Sequence, residues 1–301
     1  MSGSSIHSSA AWARLTLLMA VASAQLTLAT RGGQGAFVIM AALPWLGGAV
    51  LLLEREQEPS AAPAADAGPL ATGLALVLLL WSLLVLSFAA RLYDPLLAFI
   101  PLAVLPALAL LSGLAPRQPL VRELAAIGAL LPAQVLINVL LPVEPLARLT
   151  AQISALLLWM LGRPAFAEGN RIVLPDQILL VDASCTGRTT LAFCLATAAL
   201  LLVLLPLPAL VSARRRRQRS LLLGLFAVGA LLGVVLLNGV RITLLAFTSQ
   251  QTPAGLLDTL GSFAFWHDGH GAQLFSLLAS AIVCAGYVGV QEALRQQHPT
   301  S

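Results

Sequence analysis

Three residue types able to carry out nucleophilic chemistry stand at the ends of long apolar segments: Cys185 in Ala-Ser-Cys-Thr-Gly, Arg241 in Asn-Gly-Val-Arg-Ile, and His267 in Trp-His-Asp-Gly-His-Gly. A thiolate is the attacking form of cysteine, an imidazole can take and return its proton, and a guanidinium can stabilise the thiolate or the oxyanion that follows. The other two cysteines, Cys194 and Cys284, lie within apolar runs, where a cysteine is most often a small packing residue. Cys185 is surrounded instead by Asp182, Ser184, Thr186, Gly187 and Arg188. With neither other cysteine at its membrane depth, Cys185 is expected to stay a free thiol rather than to form a disulfide.

A lone arginine at the end of an apolar segment would ordinarily be a snorkelling residue. Asn238, three positions before Arg241, changes that reading, because residues at i and i+3 share a helix face and can project together toward one cavity. His267 and His270 are spaced as two metal ligands could be, yet the sequence offers no clear third ligand and no His-Glu-x-x-His pattern. No metal and no cofactor is therefore expected. His7 and His298 sit in polar termini and carry no signal.

The elements that must position these residues are set by composition. With 58% apolar and 10% charged residues and a mean hydropathy of +0.90, the chain cannot form one water-soluble globule. It reads as an all-α polytopic membrane protein with about eight transmembrane helices, within 11–28, 36–53, 71–90, 95–111, 125–141, 189–211, 221–241 and 272–290. These runs are apolar all round, which argues against a barrel. The chain reads as one integral membrane domain, 1–301, with N-terminal spans over about 11–141 and a catalytic region over about 145–290. The first span resembles a signal peptide ending in Ala22-Ser-Ala24, but an uncleaved span is the preferred reading. Residues 54–69 read as a flexible linker.

Cations concentrate in short segments, most densely at Arg214–Arg217, which predicts a cytoplasmic loop there. No aromatic residues interleave that run, so nucleic acid is not expected as a partner. From this anchor, Cys185, Arg241 and His267 share the outer face. Residues 144–162 carry Arg148, Thr150, Gln152 and Ser154, too polar for a comfortable span, and predict a helix on the outer interface. Two short β-branched or apolar runs, 171–174 and 178–181, flank Pro-Asp-Gln and predict an outer-face hairpin. The chain would then turn at Thr186-Gly187 and enter a helix, whose N-terminus should favour the Cys185 thiolate.

Taken together, Gly162-Arg-Pro-Ala-Phe-Ala-Glu-Gly-Asn-Arg-Ile-Val-Leu-Pro, Val-Asp-Ala-Ser-Cys185-Thr-Gly, Asn238-Gly-Val-Arg241-Ile and His267-x-x-x-Gly271-x-x-x-Phe275 resemble the exosortase/archaeosortase family of membrane transpeptidases over roughly residues 145–290. The resemblance implies Cys185, Arg241 and His267 as catalytic residues; the residues around them add Asn238, Arg188, Gly187 and His270 as supporting or substrate-binding candidates. Two features depart from the family pattern: the charged Arg188 shortly after the cysteine, and the second histidine, His270. The motif spacing favours His267 over His270.

The expected activity is that of a cysteine transpeptidase or protease of the plasma (inner) membrane of a bacterium. It would cleave C-terminal sorting signals of exported proteins through a thioester and pass the product to an acceptor amine. Its partners would be substrates bearing a C-terminal transmembrane signal, an acceptor amine of unknown identity, and membrane lipid. The alternative is a non-enzymatic transporter or an assembly subunit for exported polymer. Transporters usually carry ionisable residues near the bilayer midplane, whereas the polar groups here collect at one interface.

Overall fold

A computed structural model describes residues 9–31, 35–57, 68–89, 95–207, 213–248, 262–267 and 269–296. The linker core at 58–67 and the terminal His7 and His298 lie outside the described residues. The chain divides into two compact units, 1–135 and 136–301.

In the first unit, α1 (Ser9–Arg31), α2 (Gly35–Gln57) and α3 (Pro69–Phe88) are followed by a 3-10 turn (Pro95–Phe99) leading into α4 (Ile100–Leu111), then α5 (Pro119–Gly128) and α6 (Leu130–Leu140), within which the unit ends. Helix α4 is the centre of this unit: between Ile100 and Leu110 every residue except Leu102 is buried. An all-round apolar helix must be covered by neighbours or by lipid, and here neighbours cover nearly all of it. One polar link crosses the unit. Gln25 donates to the carbonyl of Leu97 at 2.6 Å, and its own carbonyl accepts from the Trp45 indole at 2.6 Å.

The second unit continues with α7 (Val143–Met160), strands β1 (Phe166–Glu168), β2 (Arg171–Val173) and β3 (Ile178–Leu180), then α8 (Arg188–Leu204), α9 (Ala213–Leu245), the short α10 (Phe263–His267) and α11 (His270–Arg295). The sheet is antiparallel in the order β1-β2-β3, with Phe166 opposite Val173 and Val173 opposite Ile178. The predicted hairpin of β2 and β3 is therefore part of a three-stranded sheet. The extra strand is short, and its turn rests on Gly169, whose φ of +62° suits the first central position of a tight hairpin turn.

One end of this unit is built on close helix contact. Ala147, Ala151 and Ala155 recur every four residues along α7, the small-residue pattern that lets membrane helices approach, and α7 packs on α9. A methyl group added at Gly239 of α9 would stand 2.6 Å from Ile153, so the approach depends on that glycine. Ile172, Leu174 and Val181 turn the inner face of the sheet onto the same cluster, together with Ile242, Leu245, Ala246 and Cys185. Arg163 and Gln177 both donate to the carbonyl of Ala246, which ties the sheet to the last turn of α9. At the opposite end, Tyr287 and Gln291 of α11 donate to the carbonyl of Leu205, just past α8.

The protein is an all-α polytopic membrane protein carrying a small sheet. Among the described residues, five helical segments are long and apolar enough to cross a membrane: Trp12–Arg31, Val38–Arg55, Pro69–Phe88, Arg219–Leu245 and Phe263–Arg295. A sixth is reached if α5 and α6, bent at a break, count as one span. As far as they are described, seven of the eight predicted runs fall on one helix each, those over 95–111 and 189–211 giving the shorter helices Pro95–Leu111 and Arg188–Leu204, whereas 125–141 straddles the break between α5 and α6.

Two further expectations change with the structure. Arg214–Arg217 form the first turns of α9 rather than a loop, in keeping with the good helix propensity of arginine and the absence of glycine or proline there. In α7, Arg148 and Gln152 are exposed, whereas Thr150 and Ser154 are buried against neighbouring elements. Half of the polarity that made this helix look interfacial thus serves internal contacts.

Candidate functional site

Cys185 follows β3 in a turn held by its own polar residues. Asp182 Oδ1 accepts from the backbone N–H of Ser184 at 2.9 Å, from the Ser184 hydroxyl at 2.6 Å and from the backbone N–H of Cys185 at 3.0 Å. This is the local side-chain-to-backbone pattern that short acidic residues offer a turn. The Thr186 hydroxyl then accepts from the backbone N–H of Arg188 at 3.2 Å, and α8 begins.

Gly187 makes the passage from turn to helix possible. Its φ is +71°, a left-handed conformation that other residues rarely adopt, and a methyl group there would lie 2.6 Å from Asn238 Cγ. Asn238 uses that closeness: its amide donates to the carbonyl of Cys185 at 2.9 Å and to the Thr150 hydroxyl at 3.3 Å. Thr150 in turn donates to the carbonyl of Thr186 at 3.4 Å. Helices α7 and α9 therefore grip the backbone at the thiol-bearing residue and just after it. One layer further along, Ser154 donates to the carbonyl of Gly239 at 3.1 Å, and Thr243 donates to the same carbonyl at 2.8 Å.

Arg241, one turn beyond Asn238, reaches α10. Its Nε donates to the carbonyl of Trp266 at 2.8 Å and a terminal nitrogen donates to the carbonyl of His267. A cation at the carbonyl end of a helix is favourable, and here it also fixes the residue that carries the imidazole. The His267 ring stacks on Phe263 with centroids 4.9 Å apart. Gly271 and Phe275 complete the support. Phe275 meets the Trp266 ring edge-on at 5.8 Å, and a methyl group at Gly271 would stand 2.5 Å from Trp266 and 2.8 Å from Phe265. The four-residue spacings after His267 thus place one gap and one ring against the short helix that presents the histidine.

The result is a cluster in which one donor atom each from Asp182, Cys185 and His267 lies within 4.8 Å of the others. Cys185 is 4% exposed, His267 half-buried and Asp182 exposed, so the cluster opens to one side. Burial pushes the Cys185 thiol above its ordinary value. The Ser184 hydroxyl and Arg241 act downward on it, and Asp182 acts upward. Asp182 is held below the usual carboxylate value, chiefly by its bond from the Ser184 hydroxyl.

This corrects one expectation. Cys185 precedes the first residue of α8 and is buried, and that burial acts against the thiolate that a helix start alone would favour.

The structure brings Cys185, His267, Arg241, Asn238 and Gly187 to one end of the second unit. Arg188 bonds Thr186 through its backbone, and its buried Nε meets no hydrogen-bond acceptor among the described residues. His270 opens α11, and its side chain lies outside the described residues. Cys194 sits deeper in α8, 3.9 Å from the Ser280 hydroxyl, away from the cluster.

Two contributors were not singled out from sequence: Thr150, hidden in a helix read as interfacial, and Asp182, whose three-residue spacing to Cys185 was the available signal. Asp182 and Cys185 also give His267 the ligand partners that its neighbour His270 did not, and an Asp, Cys, His set is of a kind that holds zinc. The Asp182 oxygen already accepting three hydrogen bonds, and the Arg241 charge beside the thiol, both work against a cation there.

A family model for transmembrane exosortases matches residues 40–284. Searches of curated proteins and of solved structures return no match.

Proposed function

Because the chain belongs to the transmembrane exosortase family, a family of membrane transpeptidases, we propose that it cleaves off the C-terminal sorting signals of exported proteins, holds the protein body as a thioester on Cys185 and transfers that body to an acceptor amine. The observation that carries the reading is the approach of Cys185 and His267 to within 4.8 Å, each held by a different helix-borne polar group.

The proposed steps follow from what each group can do. His267 accepts the proton of the Cys185 thiol, and the sulfur attacks a backbone carbonyl of the substrate. The tetrahedral intermediate collapses as the C–N bond breaks, and the imidazolium returns the proton to the leaving amine. A thioester remains. The acceptor amine then attacks the thioester carbonyl, His267 takes the proton released by the incoming nitrogen, and the thiol is regenerated.

Arg241 has two duties in this scheme: it anchors the carbonyl end of α10 and so orients His267, and its charge favours the thiolate. Water in place of the amine would give hydrolysis. No cofactor is required by any step.

Orientation belongs to the same proposal. The arginine-rich start of α9 lies in the cytoplasm of a bacterial cell and the Cys185 end at the outer face. The stretch from Arg219 to Arg241 supports this, because about 22 residues at 1.5 Å each give roughly 33 Å, one hydrocarbon thickness. A substrate helix in the same bilayer would hold its scissile bond at the depth of Cys185.

The test is co-expression of an exported protein bearing a C-terminal transmembrane signal with the wild type or Cys185→Ala, followed by intact-mass measurement of the exported protein. Loss of the signal with a new covalent mass, in the wild type alone, is the expected result. Loss of the signal without an adduct would reduce the activity to proteolysis, and identical processing by Cys185→Ala would remove Cys185 as nucleophile.

A further inference from the structure

Asp182 is used by no step above, yet it is placed where a charge matters most. One of its carboxylate oxygens lies within 4.8 Å of both the reacting sulfur and an imidazole nitrogen. The side chain cannot drift, because Oδ1 is fixed by the N–H groups of Ser184 and Cys185 and by the Ser184 hydroxyl. That hydroxyl stands 3.7 Å from the Cys185 sulfur, so Ser184 links carboxylate and thiol.

From this geometry we infer that Asp182 is a further positioning residue of the site: it sets the turn that presents Cys185, and its charge, held beside the sulfur, restrains formation of the Cys185 thiolate. The inference deepens the transpeptidase reading and rests on Cys185 and His267 being the reacting pair.

Attack requires the Cys185 proton to leave for His267. A fixed negative charge beside the sulfur disfavours the thiolate, so Cys185 holds its proton more tightly. The thiol is then kept from reacting outside catalysis.

The elements around the turn carry charged groups of both signs. Arg241 of α9 acts on the thiol in the opposite sense to Asp182. On α7, exposed Arg148 and Glu144 pair with one another. On the sheet, Glu168 and Arg171 are exposed and face each other across β1 and β2. Arg188 opens α8.

Two substitutions separate the charge from the turn. Asp182→Asn keeps an oxygen to accept from Ser184 and Cys185 but removes the charge, whereas Asp182→Ala removes both. The experiment measures the rate at which iodoacetamide alkylates Cys185 in the purified full-length protein, read by mass on the Cys185 peptide across the neutral and alkaline range. It needs no substrate, so it succeeds or fails independently of whether any sorting signal is processed.

The expected result is an alkylation inflection about one pH unit lower in Asp182→Asn than in the wild type, with thermal stability retained. Asp182→Ala should shift in the same direction and also lose stability. If Asp182→Asn is recovered too poorly to measure, Asp182→Ser must reproduce the downward shift. An inflection unchanged from the wild type in the uncharged variant would overturn the inference and leave Asp182 as a turn residue alone.

Discussion

The two compact units solve the problem of burying polar groups in different ways. Among the described residues, the buried polar side chains of the first unit are Gln25, Ser82 and Gln134, and its centre is the apolar α4. The second unit buries Thr150, Ser154, Thr186, Asn238, Arg241 and Thr243 near one end, and most of their bonds run between elements rather than within one helix or turn. An unsatisfied polar group in a low-dielectric interior costs several kcal/mol, so such a set persists only where the partners are fixed. The first unit is organised by apolar packing, and the second by a polar framework whose geometry is itself the product of folding.

Substitutions should expose that difference, beginning with the reacting groups. Cys185→Ala is expected to abolish processing of a co-expressed substrate, and His267→Ala to reduce it almost as far, with both proteins present at normal levels in the membrane. Arg241→Ala should lower the processing rate by about 10²- to 10³-fold, the usual effect of removing one positioned donor, and loosen α10 as well. Retained activity in Arg241→Ala would show that α10 is held without it.

Backbone supports come next. Gly187→Ala combines a left-handed φ with a methyl group 2.6 Å from Asn238, and is expected to cost about 1–3 kcal/mol and most of the activity. Asn238→Ala strips the Cys185 carbonyl of its side-chain donor. A loss of about 1–3 kcal/mol in thermal unfolding, with a rate lower by at least tenfold, is the expected outcome.

The smallest effect on chemistry should come from the first unit. Trp45→Phe leaves the Gln25 carbonyl without its indole donor and is expected to lower stability by about 1–3 kcal/mol. Its alkylation profile at Cys185 should match the wild type. A profile altered as much as by Asn238→Ala would erase the distinction between the two units.

How much of this was legible in the sequence depends on the range of the interaction. Membrane class and helix positions follow from apolar runs, because each helix satisfies its own backbone and composition alone decides whether lipid surrounds it. Asn238 and Arg241 could be placed on one face from helical spacing. Their partners could not: that Asn238 would hold the carbonyl of Cys185, and Arg241 the carbonyls of α10, depends on three helices meeting.

The short sheet was half visible. β2 and β3 carry apolar or β-branched runs, whereas β1 has only Phe-Ala-Glu and depends on pairing with β2. The effect of burial on Cys185 was hidden for the same reason. A helix start is visible in sequence, but the desolvation of a thiol packed against α7 and α9 is not.

The most direct test of the account is the intact mass of the enzyme itself during turnover of a co-expressed substrate, with the modified residue located by peptide mapping. An acyl adduct on Cys185 that neutral hydroxylamine releases, absent from Cys185→Ala, is the predicted result. An adduct on Cys194 or Cys284, or processing that continues in Cys185→Ala, would contradict the placement of the chemistry at this cluster.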